Sequence, residues 1–131
     1  EQLKSLAEIV EKSDISGIIA TNTTEDRSAE LESKYSFQSG GLSGRPLFSK
    51  SNDTIKYLYS STNVPIIGVG GVDNGRTAYQ KIISGASLVQ LYTGIVYEGL
   101  KSAYKINSEL DQILEKNGFD NVREAVGVAA D

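Results

Sequence analysis

Apolar residues recur at two different spacings along the chain, and the switch between them predicts the order of its elements. Leu3, Leu6, Ala7 and Val10 fall at i, i+3, i+4 and i+7, the stripe of a helix packed on one face. Gly17-Ile18-Ile19-Ala20-Thr21 then reads as a short buried strand. Residues 22–50 carry no periodicity. They are polar, with Ser, Glu and Gly clusters and Pro46, a long excursion of the kind that usually serves a function. Ser51 is placed to cap a helix carrying Ile55, Leu58 and Tyr59 on its inner face. Pro65-Ile66-Ile67-Gly68-Val69 predicts a second strand, and Ala78, Ile82 and Ile83 mark the helix after it. Leu88-Val89-Gln90-Leu91-Tyr92 predicts a third strand. Ala103, Ile106, Leu110, Ile113 and Leu114 give a longer helix its inner face, with Gly118 as its stop. Val122, Ala125 and Val126 predict a last helical turn or two.

Strands that are apolar throughout and alternate with helices indicate a parallel sheet covered by helices, with strands adjacent in chain order. Three strands are few for such a sheet, because both edges lie open. A complete β/α barrel needs eight strands and roughly 250 residues. The pattern is that of the last three strands of something larger, held in one domain-sized piece spanning residues 1–131.

Composition narrows the chemistry. Of the 131 residues, 39% are apolar and 23% charged, an ordinary globular profile. The net charge of −4 supplies no global positive field, so no nucleic-acid partner is expected. With no cysteine there is no disulfide framework and no thiolate site. With no histidine the chain also lacks the commonest general base and the commonest metal ligand, and no metal site is expected. No run approaches the 18 apolar residues of a membrane span. Any membrane contact is expected to come from outside these residues.

Gly68-Val69-Gly70-Gly71-Val72-Asp73-Asn74-Gly75-Arg76-Thr77 poses the sharpest question. From Gly70 it reads G-x-x-x-x-G-R-T, close to the phosphate loop of nucleotide hydrolases, with Arg76 where that loop needs lysine. Arginine is not an equivalent replacement, and neither other strand ends in an aspartate for magnesium. The glycines could also simply allow a tight turn and close helix packing. A second strand end, Gly85-Ala86-Ser87-Leu88-Val89-Gln90-Leu91-Tyr92-Thr93-Gly94, tips the balance. In barrels, the turns after the last two strands commonly hold a phosphate on backbone N–H groups, and no lysine is needed.

Ala20-Thr21-Asn22-Thr23-Thr24, Gly40-Gly41-Leu42-Ser43-Gly44-Arg45-Pro46-Leu47 and these two strand ends together resemble the C-terminal part of a dihydroorotate dehydrogenase of the quinone-using, membrane-associated class. The resemblance runs nearly end to end. It departs at Ser51-Asn52, where family members usually have Ser-Thr, and at Leu100, often proline. It implies the last three βα units of a (β/α)8 barrel and FMN as cofactor. By motif, Gly71, Tyr92 and Thr93 would meet the flavin phosphate through main-chain amides. Thr21 and Gly44 would line the flavin site, and Asn22 and Thr23 would contact dihydroorotate or orotate. Plainer roles stay open, with Asn22 capping a turn and Tyr92 in the core. The resemblance places the catalytic serine, a flavin-contacting lysine and the quinone-binding and membrane-binding helices upstream. Lys4, Lys12, Ser5 and Ser13 match no such motif, so no catalytic base is assigned here. The complete enzyme would be peripheral to the bacterial cytoplasmic or mitochondrial inner membrane. This chain alone, without the N-terminal part of the barrel, would be inactive. Two other readings remain: a non-catalytic partial-barrel interaction fragment, and a phosphate-binding barrel enzyme of another chemistry.

Overall fold

The computed structural model describes residues 1–27 and 31–130. Its elements are α1 (Gln2–Glu11), β1 (Ile18–Ala20), a 3-10 turn (Arg45–Leu47), α2 (Phe48–Ser61), β2 (Ile66–Val69), α3 (Gly75–Ile83), β3 (Leu88–Gln90), α4 (Thr93–Glu98), α5 (Ser102–Lys116) and α6 (Val122–Ala125). The three strands form one parallel sheet in the order β1-β2-β3. Ile18 pairs with Ile66 and Ala20 with Gly68, while Ile67 pairs with Leu88 and Val69 with Gln90. The predicted order and direction of the strands are therefore observed.

The alternation within each strand divides the sheet into two unlike faces. Toward the helices, Ala20 and Ile66 pack with Ile55 and Leu58 of α2 and with Ala86 in one core cluster. Val72, Ala78 and Ile106 form a second cluster, and Ile82, Leu114 and Ala125 a third, as α3 packs on α5 and α6. On the opposite face Ile19 and Leu88 stay 61% and 62% exposed. A sheet with helices on one side and bare aliphatic side chains on the other is a sector of barrel wall. Leu3 and Leu6 of α1 are exposed, although Ala7 and Val10 of the same stripe are buried.

Three local expectations are corrected. Ser51 does not cap α2, which starts at Phe48 behind the Arg45–Leu47 turn, with a proline in the turn's first residues. It lies inside the helix, fully buried, and its hydroxyl donates to the Val69 carbonyl at 2.5 Å. The predicted longer helix is α5, with Gly118 at φ 79° just beyond its C-cap, and a short α4 that the pattern did not show precedes it, ended by Gly99 at φ 75°. Ala103 faces solvent, and Ser102 is buried in its place. Tyr59 is 41% exposed rather than a core residue, its ring lying over Gly85 and Gly127.

The Ser51 bond ties α2 to the end of β2, where the Val69 carbonyl also accepts the Thr21 N–H at 3.1 Å. Because Thr21 would still satisfy that carbonyl, Ser51→Ala is expected to cost about 1 kcal/mol. Urea unfolding of the full-length protein measures it, and an unchanged midpoint would show that the bond contributes nothing.

Candidate functional site

All three strands run parallel, so their C-terminal ends open at one rim, and the chemistry-bearing residues gather there. Thr21, Asn22 and Thr23 leave β1, Gly70 and Gly71 leave β2, and Tyr92 and Thr93 follow β3. The end of the excursion folds back onto the same rim. Thr24 and Leu42 form an antiparallel bridge, exchanging N–H···O bonds of 3.1 and 2.7 Å. The Arg27 guanidinium spans the base of the loop, donating to the carbonyls of Thr24 at 3.0 Å, Gln38 at 3.3 Å and Gly40. Lys50 of α2 forms an ion pair with Asp26 alongside it. At the other end the Thr93 hydroxyl donates to that of Ser43 at 2.9 Å, which docks Gly44 against the end of β3.

These residues enclose a cavity of about 390 Å³ whose lining includes all seven positions singled out from sequence: Thr21, Asn22 and Thr23, then Gly44, Gly71, Tyr92 and Thr93. Tyr92 is 79% exposed at this rim. Asn22 does serve its own turn, since its Oδ1 accepts the Thr23 N–H at 2.8 Å. Its Nδ2 has no partner among the described residues. Gln90 and Leu47 also line the cavity and were not anticipated from sequence. Gln90 could have been found, because the strand alternation aims it at the face bearing Leu88.

A larger hollow of about 680 Å³ shares Ser43, Gly44, Gly71 and Thr93 with the smaller cavity. It is bordered by Arg27, Tyr35 and Tyr97, and by Arg45 paired with Asp73 at 2.5 Å. The hydrogen bond and charge of Asp73 raise the already high pKa of Arg45, which stays a cation. None of Thr21, Asn22 or Thr23 reaches this hollow, so the smaller cavity at the strand ends is the candidate site.

Among the described residues no charged side chain lines the smaller cavity, so an anion there would rely on neutral donors, backbone N–H groups foremost. Those groups are present. The N–H groups of Gly71, Tyr92 and Thr93 have no acceptor among the described residues, and Gly71 is held at φ 75° with its α-carbon hydrogen against Phe48. A compact oxyanion suits this donor set. The hydrolase-loop alternative fails on geometry, because Arg76 is exposed and lines neither cavity. The spacing that suggested it belongs to a helix start. Asn74 and Thr77 form a reciprocal capping box at α3, and the Gly75 N–H donates to Glu109 Oε2 at 2.7 Å. Among the described residues no cluster of three or more potential ligands could hold a metal, and no helix is long and apolar enough to cross a membrane.

Residues 1–114 match the family model for dihydroorotate dehydrogenase. The chain is 48% identical over 126 residues to the dihydroorotate dehydrogenase (quinone) of Natronomonas pharaonis, covering 96% of this chain and 36% of that protein. It is 42% identical over 127 residues to the mitochondrial dihydroorotate dehydrogenase (quinone) of Mus musculus, covering 95% and 32%. A crystal structure of ligand-free DHODH from Eimeria tenella superposes with a TM-score of 0.93 at 38% identity, over 97% of this chain and 36% of that one. The chain thus spans about a third of the length of these relatives. It belongs to the dihydroorotate dehydrogenase family, and its bare-faced sheet is part of that family's barrel.

Proposed function

We propose that residues 1–131 form the C-terminal portion of a flavin-binding β/α barrel and supply part of the site at which a quinone-dependent enzyme oxidises dihydroorotate to orotate in pyrimidine biosynthesis. A single observation carries this reading: one uncharged cavity at the strand ends collects all seven residues that the family motifs assign to flavin and substrate. Gly71, Tyr92 and Thr93 would hold the FMN phosphate on free backbone N–H groups, and Thr21 and Gly44 would border the flavin. Asn22 and Thr23 would hold the pyrimidine, the Asn22 NH₂ group donating to a ring carbonyl and the Thr23 hydroxyl pairing with a neighbouring polar group. When bound, the flavin supplies an acceptor for the two electrons that leave the substrate. The proton-accepting serine, the quinone contacts and the membrane-facing segment would come from residues upstream of this chain.

The test uses full-length protein purified without added cofactor. It is expected to carry visible flavin absorbance, to lose that absorbance on anaerobic mixing with dihydroorotate, and to be inhibited by orotate in competition with dihydroorotate. Protein without flavin would instead support a non-catalytic role. Flavin that dihydroorotate fails to bleach would support a barrel enzyme of another chemistry.

A further inference from the structure

Lys81 is the one charged residue in the fully buried set among the described residues, with a relative exposure of 0%. It leaves α3 with its stem under β2, so that a Cβ added to Gly68 would sit 3.1 Å from its Cδ. Its head lies against the first turns of α2, where Nζ donates to Asn52 Oδ1 at 2.7 Å and stands 5.1 Å from the centre of the Phe48 ring. Both partners are neutral. None of the ion pairs among the described residues includes Lys81. Burial lowers its pKa to about 8, which still leaves it largely protonated at neutral pH. A buried cation with an amide and a ring face for company is only partly compensated.

The position of this charge is informative. Phe48, which bears the ring facing the ammonium, is also the residue packed against Gly71: a Cβ there would meet its Cβ at 2.7 Å and its Cα at 2.9 Å. One side chain, that of Phe48, therefore lies between the ammonium and the turn. Coulomb attraction across a packed side chain is much less screened than across solvent. Among the described residues the cavity at that turn has no charged lining.

We propose that Lys81 sets the anion affinity of the strand-end site from behind, its buried ammonium attracting the phosphate end of the ligand across Phe48 without touching it. The inference rests on the reading that the Gly71 turn holds a flavin phosphate. It also gives meaning to Asn52, where the family usually carries threonine: the amide oxygen solvates the ammonium without cancelling its charge.

FMN and riboflavin differ only by the phosphate, so their affinities for full-length apoprotein separate an electrostatic role from a packing role. Lys81→Met removes the charge at similar length. Asn52→Asp keeps the lysine and its packing but sets a counter-charge beside it. Each is expected to weaken FMN binding about tenfold while riboflavin binding changes by less than about twofold. Unchanged FMN affinity in either folded variant, or equal losses for both ligands, would overturn the proposal. If Lys81→Met does not fold, Asn52→Asp decides alone by the same criteria. Wild-type protein that binds riboflavin as tightly as FMN would show that the phosphate reading of the turn had failed, and Lys81 would then have no anion to attract.

Discussion

Full-length protein carrying Gly71→Val is expected to emerge from purification nearly free of flavin. Gly71 is held at φ 75°, a left-handed conformation that costs a side-chain-bearing residue roughly 1–2 kcal/mol. The added Cβ would stand 2.9 Å from the Phe48 Cα, a backbone atom at the start of α2 that cannot swing aside. Valine adds two further carbons to that overlap, so the turn must move, and its free N–H with it. Together these effects should lower flavin affinity by at least about a hundredfold. The measurement is the ratio of flavin to protein in the folded fraction after gel filtration. Arg76→Ala, at an exposed position lining neither cavity, should keep the wild-type ratio. The opposite ranking would restore the nucleotide-loop interpretation of the glycine-rich turn.

The second large effect is expected at Asn22, where the structure refines what a substitution should do. Its Oδ1 is engaged by the Thr23 N–H, so the part of the side chain left for a ligand is the donating NH₂ group. Asn22→Ala removes that donor and also frees the turn. With a buried substrate carbonyl left unpaired at roughly 1–3 kcal/mol, kcat/KM for dihydroorotate should fall about 5- to 150-fold. Asn22→Asp is more discriminating. It preserves the acceptor for Thr23, deletes the donor and sets a carboxylate near a substrate that itself carries one. The loss should reach about a hundredfold or more, with flavin content close to wild type. Equal kcat/KM values for wild type and Asn22→Asp would reduce Asn22 to a turn residue, and loss of flavin would move it to the cofactor side.

The strands and the rim were legible because both depend on local signals that survive packing. The largely apolar runs at 17–21, 65–69 and 88–92 hold the strands, which are shorter by up to two residues, and parallel order then brings their polar ends to a common edge. Misreadings arose where a distant group competed with a local preference. Ser51 has the preferences of a capping residue, but the Val69 carbonyl, 18 positions away, claims its hydroxyl and draws it into the helix. Lys81 gives no such local signal, because a lysine on a helix ordinarily faces solvent. It lies three positions after buried Ala78, on the inward side of α3, and only the fold shows that Asn52 and Phe48 receive its head. The substrate assignments came from motif resemblance, not from periodicity, which says nothing about what an exposed asparagine binds.

Arg27 has a practical consequence for protein engineering and for how such loops diversify. By tying together the carbonyls of Thr24, Gln38 and Gly40, it fixes the two stems of the excursion to each other close to the rim. Asn22 and Thr23 on one stem and Ser43 and Gly44 on the other thus get their spacing from the clasp and the Thr24–Leu42 bridge, not from the length of chain between them. Closing a longer loop costs little extra entropy once its ends are held, about 0.6 kcal/mol per doubling of length. Segments inserted beyond the clasp, such as an epitope tag or a reporter peptide, would be carried as cargo while the rim keeps its shape. Variation in loop length across lineages would be tolerated on the same side of Arg27, and resisted on the other.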